Sequence, residues 1–147
     1  MIGILFWLLT IFGCGYAAAA GGKDGRWAAA LIIVASLMSI PATLMGASWH
    51  GTETLIFAVD LALLIALYLL ALCSRRYFPL WMVGFHLMSV LTHVSTLIAP
   101  DFAPAIYRAL ESLWAIPMTL AMIWGIHLDR RVIELRQAPR LVNSQIN

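Results

Sequence analysis

Charged side chains are scarce in this chain of 147 residues, where seven Asp and Glu and nine Lys and Arg together make up 11%. A typical soluble domain has about 25% charged residues. Hydrophobic residues reach 63%, and the mean hydropathy is +0.91. A soluble domain of this size leaves about 30% of its unfolded-chain surface in contact with water. The composition therefore excludes an ordinary soluble domain and indicates an integral membrane protein.

Other shortages exclude further classes of protein. Cys14 and Cys73 are the two cysteines, they lack a Cys-x-x-Cys arrangement, and reduced thiols are expected. The ten glycines have no period, which excludes collagen, and the high hydrophobicity excludes disorder. The chain lacks the serine-hydrolase, zinc-protease, P-loop and dinucleotide motifs. It also lacks an extended basic patch, so no nucleic-acid partner is expected.

Five apolar stretches are long enough to cross the hydrocarbon as helices, which takes about 20 residues each. They cover about 1–20, 27–48, 55–73, 80–99 and 110–128. The first charge, Lys23, follows the first stretch instead of preceding it, so we interpret that stretch as a retained helix and not as a signal peptide. The predicted fold is all-α: one integral membrane bundle of five transmembrane helices over 1–128, followed by a basic cytoplasmic tail over 129–147.

The distribution of Lys and Arg predicts the orientation of this bundle. With five spans, eight of the nine cationic residues lie in the first loop, the third loop and the tail, which share one side, and Arg108 lies on the other. The positive-inside rule then places the N-terminus outside and the C-terminus in the cytoplasm. A four-span chain without the first helix keeps the same sides after Lys23 and is the alternative.

The connections predict how the helices are arranged. Most are two to six residues long, so consecutive helices are expected to pack as antiparallel neighbours. The segment 100–109 fits either a short helix beginning at Pro104 or an extended linker. After the fifth span, the helix is expected to continue as far as Ala138, where Pro139 would stop it.

Asp60 is the one acidic residue well inside a predicted span, about 9 Å below the outer boundary at 1.5 Å per residue. Asp60 and His93 are equally distant along the chain from the turn between Arg76 and Tyr77, so they are expected to stand at similar depth. Such a pair either fastens the third helix to the fourth or serves proton relay or ligand binding.

The fourth predicted helix carries a stripe of polar residues on one face. Spacings of three, four and three place its members on that face, which is expected to point inward. The stripe comprises His86, Ser89, His93 and Thr96.

Two of these residues raise the question of a cofactor. His86 and His93 are the candidate ligands of a haem b, but bis-His ligation needs imidazoles from different helices at one depth. His50 and His127 are the available partners, and each lies roughly 10 Å from the required height. A metal site at the outer face has suitable side chains but no ligand-spacing motif, and no metal site is assigned. Its candidate ligands are His50, Glu53, Asp60, His93, Asp101 and Glu111.

The second half of the chain carries a resemblance. The stretch 75–81, reading Arg-Arg-Tyr-Phe-Pro-Leu-Trp, continues through His86, His93 and Pro100 to the Trp-Ala-Ile-Pro of 114–117. This half resembles a group of uncharacterised short multi-span membrane proteins from alphaproteobacteria. The resemblance implies a bacterial inner (cytoplasmic) membrane and no particular activity.

Three functions follow as hypotheses. The first is a non-catalytic accessory or stabilising subunit of a larger inner-membrane complex, with lipid and other membrane subunits or a second copy of the chain as partners. The second is a haem-binding or other cofactor-binding redox protein that uses His86 and His93. The third is a small transporter or proton-coupled sensor that uses Asp60 and His93.

Overall fold

The computed structural model describes the backbone of residues 2–44, 49–98 and 104–144, and within these ranges the side chains of 4, 6–40, 54–96, 98 and 113–135. The described residues form five α-helices and no strand. The helices are α1 (Ile2–Ala20), α2 (Gly22–Leu44), α3 (Trp49–Cys73), α4 (Phe78–Ile98) and α5 (Pro104–Ser144). The prediction of an all-helical chain with five helices is confirmed.

The five helices form a closed ring. Each consecutive pair packs together, as the short connections predict, and α5 packs against α1. The core lies in one half of this ring, where small and flexible side chains fill the centre. It is formed by Cys14, Ala17, Ala28, Ala29, Ile32, Leu63, Leu67, Phe78, Met82, Met118, Met122 and Ile126.

Two helices qualify as membrane spans by length and composition among the residues whose side chains are described. The qualifying stretches are Thr54–Cys73 in α3 and Phe78–Thr96 in α4, and α1 adds the shorter apolar stretch Phe6–Ala20. Of the residues in the α3 stretch 11% are buried within the protein, against 39% in the α4 stretch. The fourth helix is thus the more enclosed of the two, in keeping with its polar stripe.

The connection between α1 and α2 is shorter than the sequence indicates. The hydrophilic break expected at 21–26 is helical from Gly22 onward, and the chain reverses at Gly21. Gly22 has a φ of 64°, a left-handed conformation that only glycine adopts without strain. A Cβ on Gly21 would lie 2.6 Å from the carbonyl oxygen of Ala17. Three glycines within 21–25 therefore permit a reversal that other residues would need a longer loop to make.

The last helix is longer than expected. Of the two structures considered for 100–109, a helix beginning at Pro104 is present, and it runs into the fifth predicted span without interruption. The expected stop at Pro139 is wrong, because α5 continues to Ser144. A proline removes one backbone donor and clashes with the preceding turn, which can bend a helix without ending it. The segment after 128 is accordingly an extension of α5 as far as 144.

Candidate functional site

Asp60 lies on α3 where that helix packs against α4, and α4 directs three polar side chains toward it. Nε2 of His93 is 2.9 Å from Oδ2 of Asp60, and Oγ of Ser89 is 3.5 Å from the same oxygen. Nε2 of His86 is 3.0 Å from the main-chain carbonyl oxygen of Asp60. Since a carbonyl oxygen only accepts, His86 donates in this last contact.

Helix geometry explains why two histidines seven residues apart both reach Asp60. A side chain leans toward the N-terminus of its helix, whereas the carbonyl points toward the C-terminus. Because α3 and α4 are antiparallel, the carboxylate of Asp60 therefore leans toward His93, and its carbonyl points toward His86. The sequence suggested equal depth for Asp60 and His93, but it contained no indication of the His86 contact with the main chain.

The carboxylate borders a cavity of about 440 Å³ inside the ring. All five helices contribute to its wall, which is formed by Phe6, Trp7, Thr10, Ile32, Ala35, Ser36, Ser39, Ile40, Ile56, Asp60, Leu63, His86, Ser89, His93, Ala115, Met118 and Thr119. The side chain of Asp60 is 19% exposed and that of His93 is 7% exposed. The carboxylate is therefore the more exposed member of the pair, and both residues line the cavity.

All four residues of the polar stripe on α4 are buried, but Thr96 does not contact Asp60. The other three are His86, Ser89 and His93. Thr96 donates its hydroxyl proton to the carbonyl of Thr92 at 3.0 Å, a bond within its own helix. Such a bond satisfies the hydroxyl locally. The stripe thus divides into three residues that contact Asp60 and one that bonds its own helix.

The candidate haem ligands are already engaged. Nε2 of His86 and Nε2 of His93 both lie within hydrogen-bond distance of Asp60. An iron ligated by either nitrogen would have to displace that contact. His127, one possible partner imidazole, is exposed and lies beside the ring of Trp124. This arrangement gives no support to a bis-His haem between the described residues.

The metal-site candidates are only partly described. The side chains of His50, Glu53 and Glu111, and all of Asp101, lie outside the described residues. Among the described side chains, no group of three or more His, Cys, Asp or Glu residues is placed to hold a metal ion. The two cysteines are free thiols, Cys14 buried and Cys73 exposed.

A second polar cluster, which we call the Arg76 cluster, lies at the other end of the ring from the cavity. Nε of Arg76 is 3.8 Å from a carboxylate oxygen of Asp24 and 3.8 Å from one of Asp129. Its Nη1 donates to the carbonyl of Gly21 at 2.9 Å, and Ser74 donates to Asp24 at 2.7 Å. Arg76 thus joins the α1–α2 turn, the α3–α4 turn and the middle of α5 at one end of the bundle.

Comparison of the chain with protein-family models, with curated proteins and with solved structures finds no match.

Proposed function

We propose that this chain is a five-span membrane protein whose central cavity binds a small ligand beside a proton-accepting pair, so that it acts as a small transporter or a proton-coupled sensor. The observation that carries the proposal is the 2.9 Å contact between Asp60 and His93 on the wall of the 440 Å³ cavity. Cavities of about 300–1,000 Å³ with a few convergent polar groups are typical of small-molecule sites.

The surface of the ring supports several spans. Large apolar side chains are exposed on every helix, for example Phe12, Leu37, Leu69, Leu91 and Trp124. So many exposed large apolar side chains are unfavourable in water and suit lipid. Two spans are supported by length and composition, and the remaining three are part of the proposal.

The charged end supports the orientation. The Arg76 cluster brings the α1–α2 turn, the α3–α4 turn and Asp129 together, so Lys23, Arg26, Arg75 and Arg130 belong to the same end of the bundle. The positive-inside rule assigns such an end to the cytoplasm. Trp27, Tyr77 and Trp81, which are exposed near this end, suit the membrane–water interface. We therefore propose an external N-terminus, a cytoplasmic C-terminus and, from the resemblance noted above, the bacterial inner membrane.

The cavity distinguishes this function from simple fastening of α3 to α4. A hydrogen bond that only holds two helices together needs no adjoining space, and burial of a carboxylate in a membrane is costly. Here the carboxylate faces a space to which all five helices contribute. A proton or ligand that enters the cavity can bind Asp60. The resulting change of charge alters the electrostatic interaction with His93, whose Nε2 is 2.9 Å from the carboxylate.

The accessory-subunit hypothesis stays a prediction of the sequence. The exposed apolar side chains suit lipid and another protein equally well, so they do not favour a partner subunit. The cavity, in contrast, is formed by a single copy of the chain, so it supports a ligand-binding function that needs no partner subunit.

A pH titration of tryptophan emission from the purified full chain tests the proposal, because Trp7 lines the cavity together with Asp60. Wild-type protein is expected to show an emission transition as the Asp60–His93 pair titrates. Asp60→Asn should change the midpoint or the size of the transition, since the amide cannot ionise and His93 loses its charged neighbour. Glu134→Gln removes an exposed carboxylate on α5 and should leave the transition unchanged.

Thermal melting of the same variants separates the two roles of Asp60. If Asp60→Asn shows the same pH transition as wild type and only melts at a lower temperature, the pair is a helix fastener and the proposed function is wrong.

A further inference from the structure

The described wall of the cavity contains one carboxylate and no Lys or Arg. Asp60, His86 and His93 are its titratable residues, and the lining side chains on α1, α2 and α5 are uncharged, either apolar, hydroxyl-bearing or, for Trp7, an indole. When Asp60 is ionised and the histidines are neutral, the wall carries one negative charge. In a space of low dielectric this charge favours a cation and disfavours an anion.

Three donors of the wall, on α2, α4 and α5, are already used within the protein. Ser39 donates to the carbonyl of Ala35 at 3.0 Å, and Thr119 donates to the carbonyl of Ala115 at 2.9 Å. His86 donates to the main chain of Asp60. A hydroxyl that has donated its proton still has lone pairs for accepting. The wall therefore offers acceptors on α2, α3 and α5, which fits a ligand that carries N–H donors.

Aromatic and branched side chains form the wall across the ring from Asp60. In a closed ring of five helices, α1 lies opposite the junction of α3 and α4, and α1 contributes Phe6 and Trp7 to the cavity. Ile32 and Ile40 of α2 continue this apolar wall. Such surface accommodates an aromatic or aliphatic body, and an aromatic ring also attracts a cation within about 6 Å of its centre.

We propose that the cavity binds a small organic cation, a protonated primary or secondary amine with an apolar body, whose ammonium group contacts the carboxylate of Asp60. The inference rests on the proposed function, because it takes the cavity as the functional site and names the class of its ligand. An anion would be repelled by the carboxylate of Asp60.

Proton coupling follows from the position of Asp60. Protonation of either Asp60 or His93 adds one positive charge where the ammonium group would bind, and His86 lies against the main chain of the same residue. A proton and the amine therefore compete for one carboxylate. In a one-for-one exchange the affinity for the amine falls by up to about tenfold per pH unit once the pair is protonated.

Calorimetric titration of the purified full chain with three probes that share a phenylethyl body tests the ligand class. The probes are 2-phenylethylamine, which is protonated at neutral pH, the neutral 2-phenylethanol and the anionic 3-phenylpropanoate. Wild-type protein is expected to bind the amine about tenfold or more tightly than the alcohol, since a hydrogen bond to a charged group discriminates by that amount. The anion should show no binding heat, and affinity for the amine should decrease at acidic pH.

Three variants locate the bound amine. Asp60→Asn should weaken amine binding about tenfold or more and leave the alcohol unaffected. Glu134→Gln, the matched loss of an exposed carboxylate, should bind as wild type does. Ser36→Leu adds bulk to the cavity wall without touching Asp60 and should weaken binding of the amine. If Asp60→Asn does not fold, the amine–alcohol comparison in wild type and the Ser36→Leu variant decide the question.

The outcomes separate this inference from the proposed function. Equal binding of amine and alcohol in wild type, or an amine affinity that is unchanged in Ser36→Leu, overturns the organic-cation site, even where the fluorescence transition depends on Asp60. Amine binding that is lost in Asp60→Asn supports the cation site. If wild type at the same time shows no pH transition, the cavity is a binding site and the proton-coupled function is the part that is wrong.

Discussion

Gly125 of α5 lies against Phe78, the first residue of α4. A Cβ built on Gly125 would overlap Cβ of Phe78 and would lie 3.2 Å from its Cα. Phe78 is 2% exposed and belongs to the core, and its main chain cannot give way without moving the start of α4. Absence of a side chain at this position therefore sets how closely α4 and α5 approach, as small residues do between membrane helices.

Gly125→Ala is expected to lower the free energy of unfolding by about 1–3 kcal/mol, because the added methyl group overpacks the α4–α5 contact. Unfolding of the purified protein in mixed detergent micelles measures the change.

Gly84→Ala is the matched control for this substitution. A Cβ at Gly84 meets no atom within 4 Å, so this variant should be unchanged or stabilised by up to about 1 kcal/mol. If both variants unfold alike, the close approach at Gly125 does not contribute to stability.

Asp60 and His93 illustrate what can be predicted for single residues. Their equal distance from the α3–α4 turn predicts similar depth, and the two side chains lie 2.9 Å apart. The role of His86 could not be predicted in this way, because a hydrogen bond to a main-chain carbonyl leaves no pattern in the spacing of side chains. The cavity beside the pair depends on five helices at once, and no single stretch of sequence carries it.

At the scale of helices, the Arg76 cluster fastens elements that are distant in the chain. The guanidinium group lies between Asp24 and Asp129, and Nη1 bonds the carbonyl of Gly21, which follows the last residue of α1. Oδ2 of Asp129 has no hydrogen-bond partner and lies 3.8 Å from Nε of Arg76 in a side chain that is 29% exposed, so the guanidinium group contributes a weak, partly screened attraction there. One side chain therefore holds the turns and α5 in register at this end.

Arg76→Ala is expected to lower the free energy of unfolding by about 1.5–3 kcal/mol, the range of a hydrogen bond to a charged group. The ion pairs themselves add little, since their distances of 3.8 Å are long and the side chains are partly exposed.

Arg75→Ala removes the same charge from the same turn, and Arg75 is exposed. Its unfolding should match that of wild type in the same detergent titration. An equal loss for both variants would mean that the charge of the turn matters and the contacts of Arg76 do not.

The ends of the helices show where sequence patterns failed. The polar residues at 21–26 looked like a loop, but glycines at the turn allow α2 to begin at Gly22. The proline at 139 looked like a stop, yet α5 passes it. In both cases the tertiary structure outweighed the conformational preference of the local residues.

At the scale of the whole molecule, the closed ring and the charge distribution together define the expected topology. The cavity lies in the half of the ring farther from the Arg76 cluster, between residues such as Thr10, Ser36 and His93. In the proposed orientation the cavity lies in the outer half of the membrane, and the Arg76 cluster lies at the cytoplasmic end of the bundle.

Reporter fusions are expected to report that topology. Alkaline phosphatase should be active when fused after residue 51 or 102 and inactive after residue 76, and green fluorescent protein should fluoresce after residue 147. These positions follow from the five predicted spans.

An epitope tag placed before Met1 distinguishes five spans from four. With five spans, antibody reaches the tag in intact spheroplasts, whereas a chain without the first span keeps it inside. An active phosphatase after residue 76 would contradict both arrangements.

The sequence by itself determined the helical class, the number of helices, the consecutive packing and the similar depth of Asp60 and His93, because length, apolar runs and short loops leave few alternatives. The tertiary structure decided that α5 closes the ring against α1, that a cavity lies beside Asp60, and that Arg76 sits between two distant carboxylates. The physical reason is that a helix face that meets lipid and one that meets another helix are both apolar. The helix face that packs inward is therefore selected by close contacts at small residues such as Gly125 and by a few polar contacts between helices. These contacts form only when the helices are assembled.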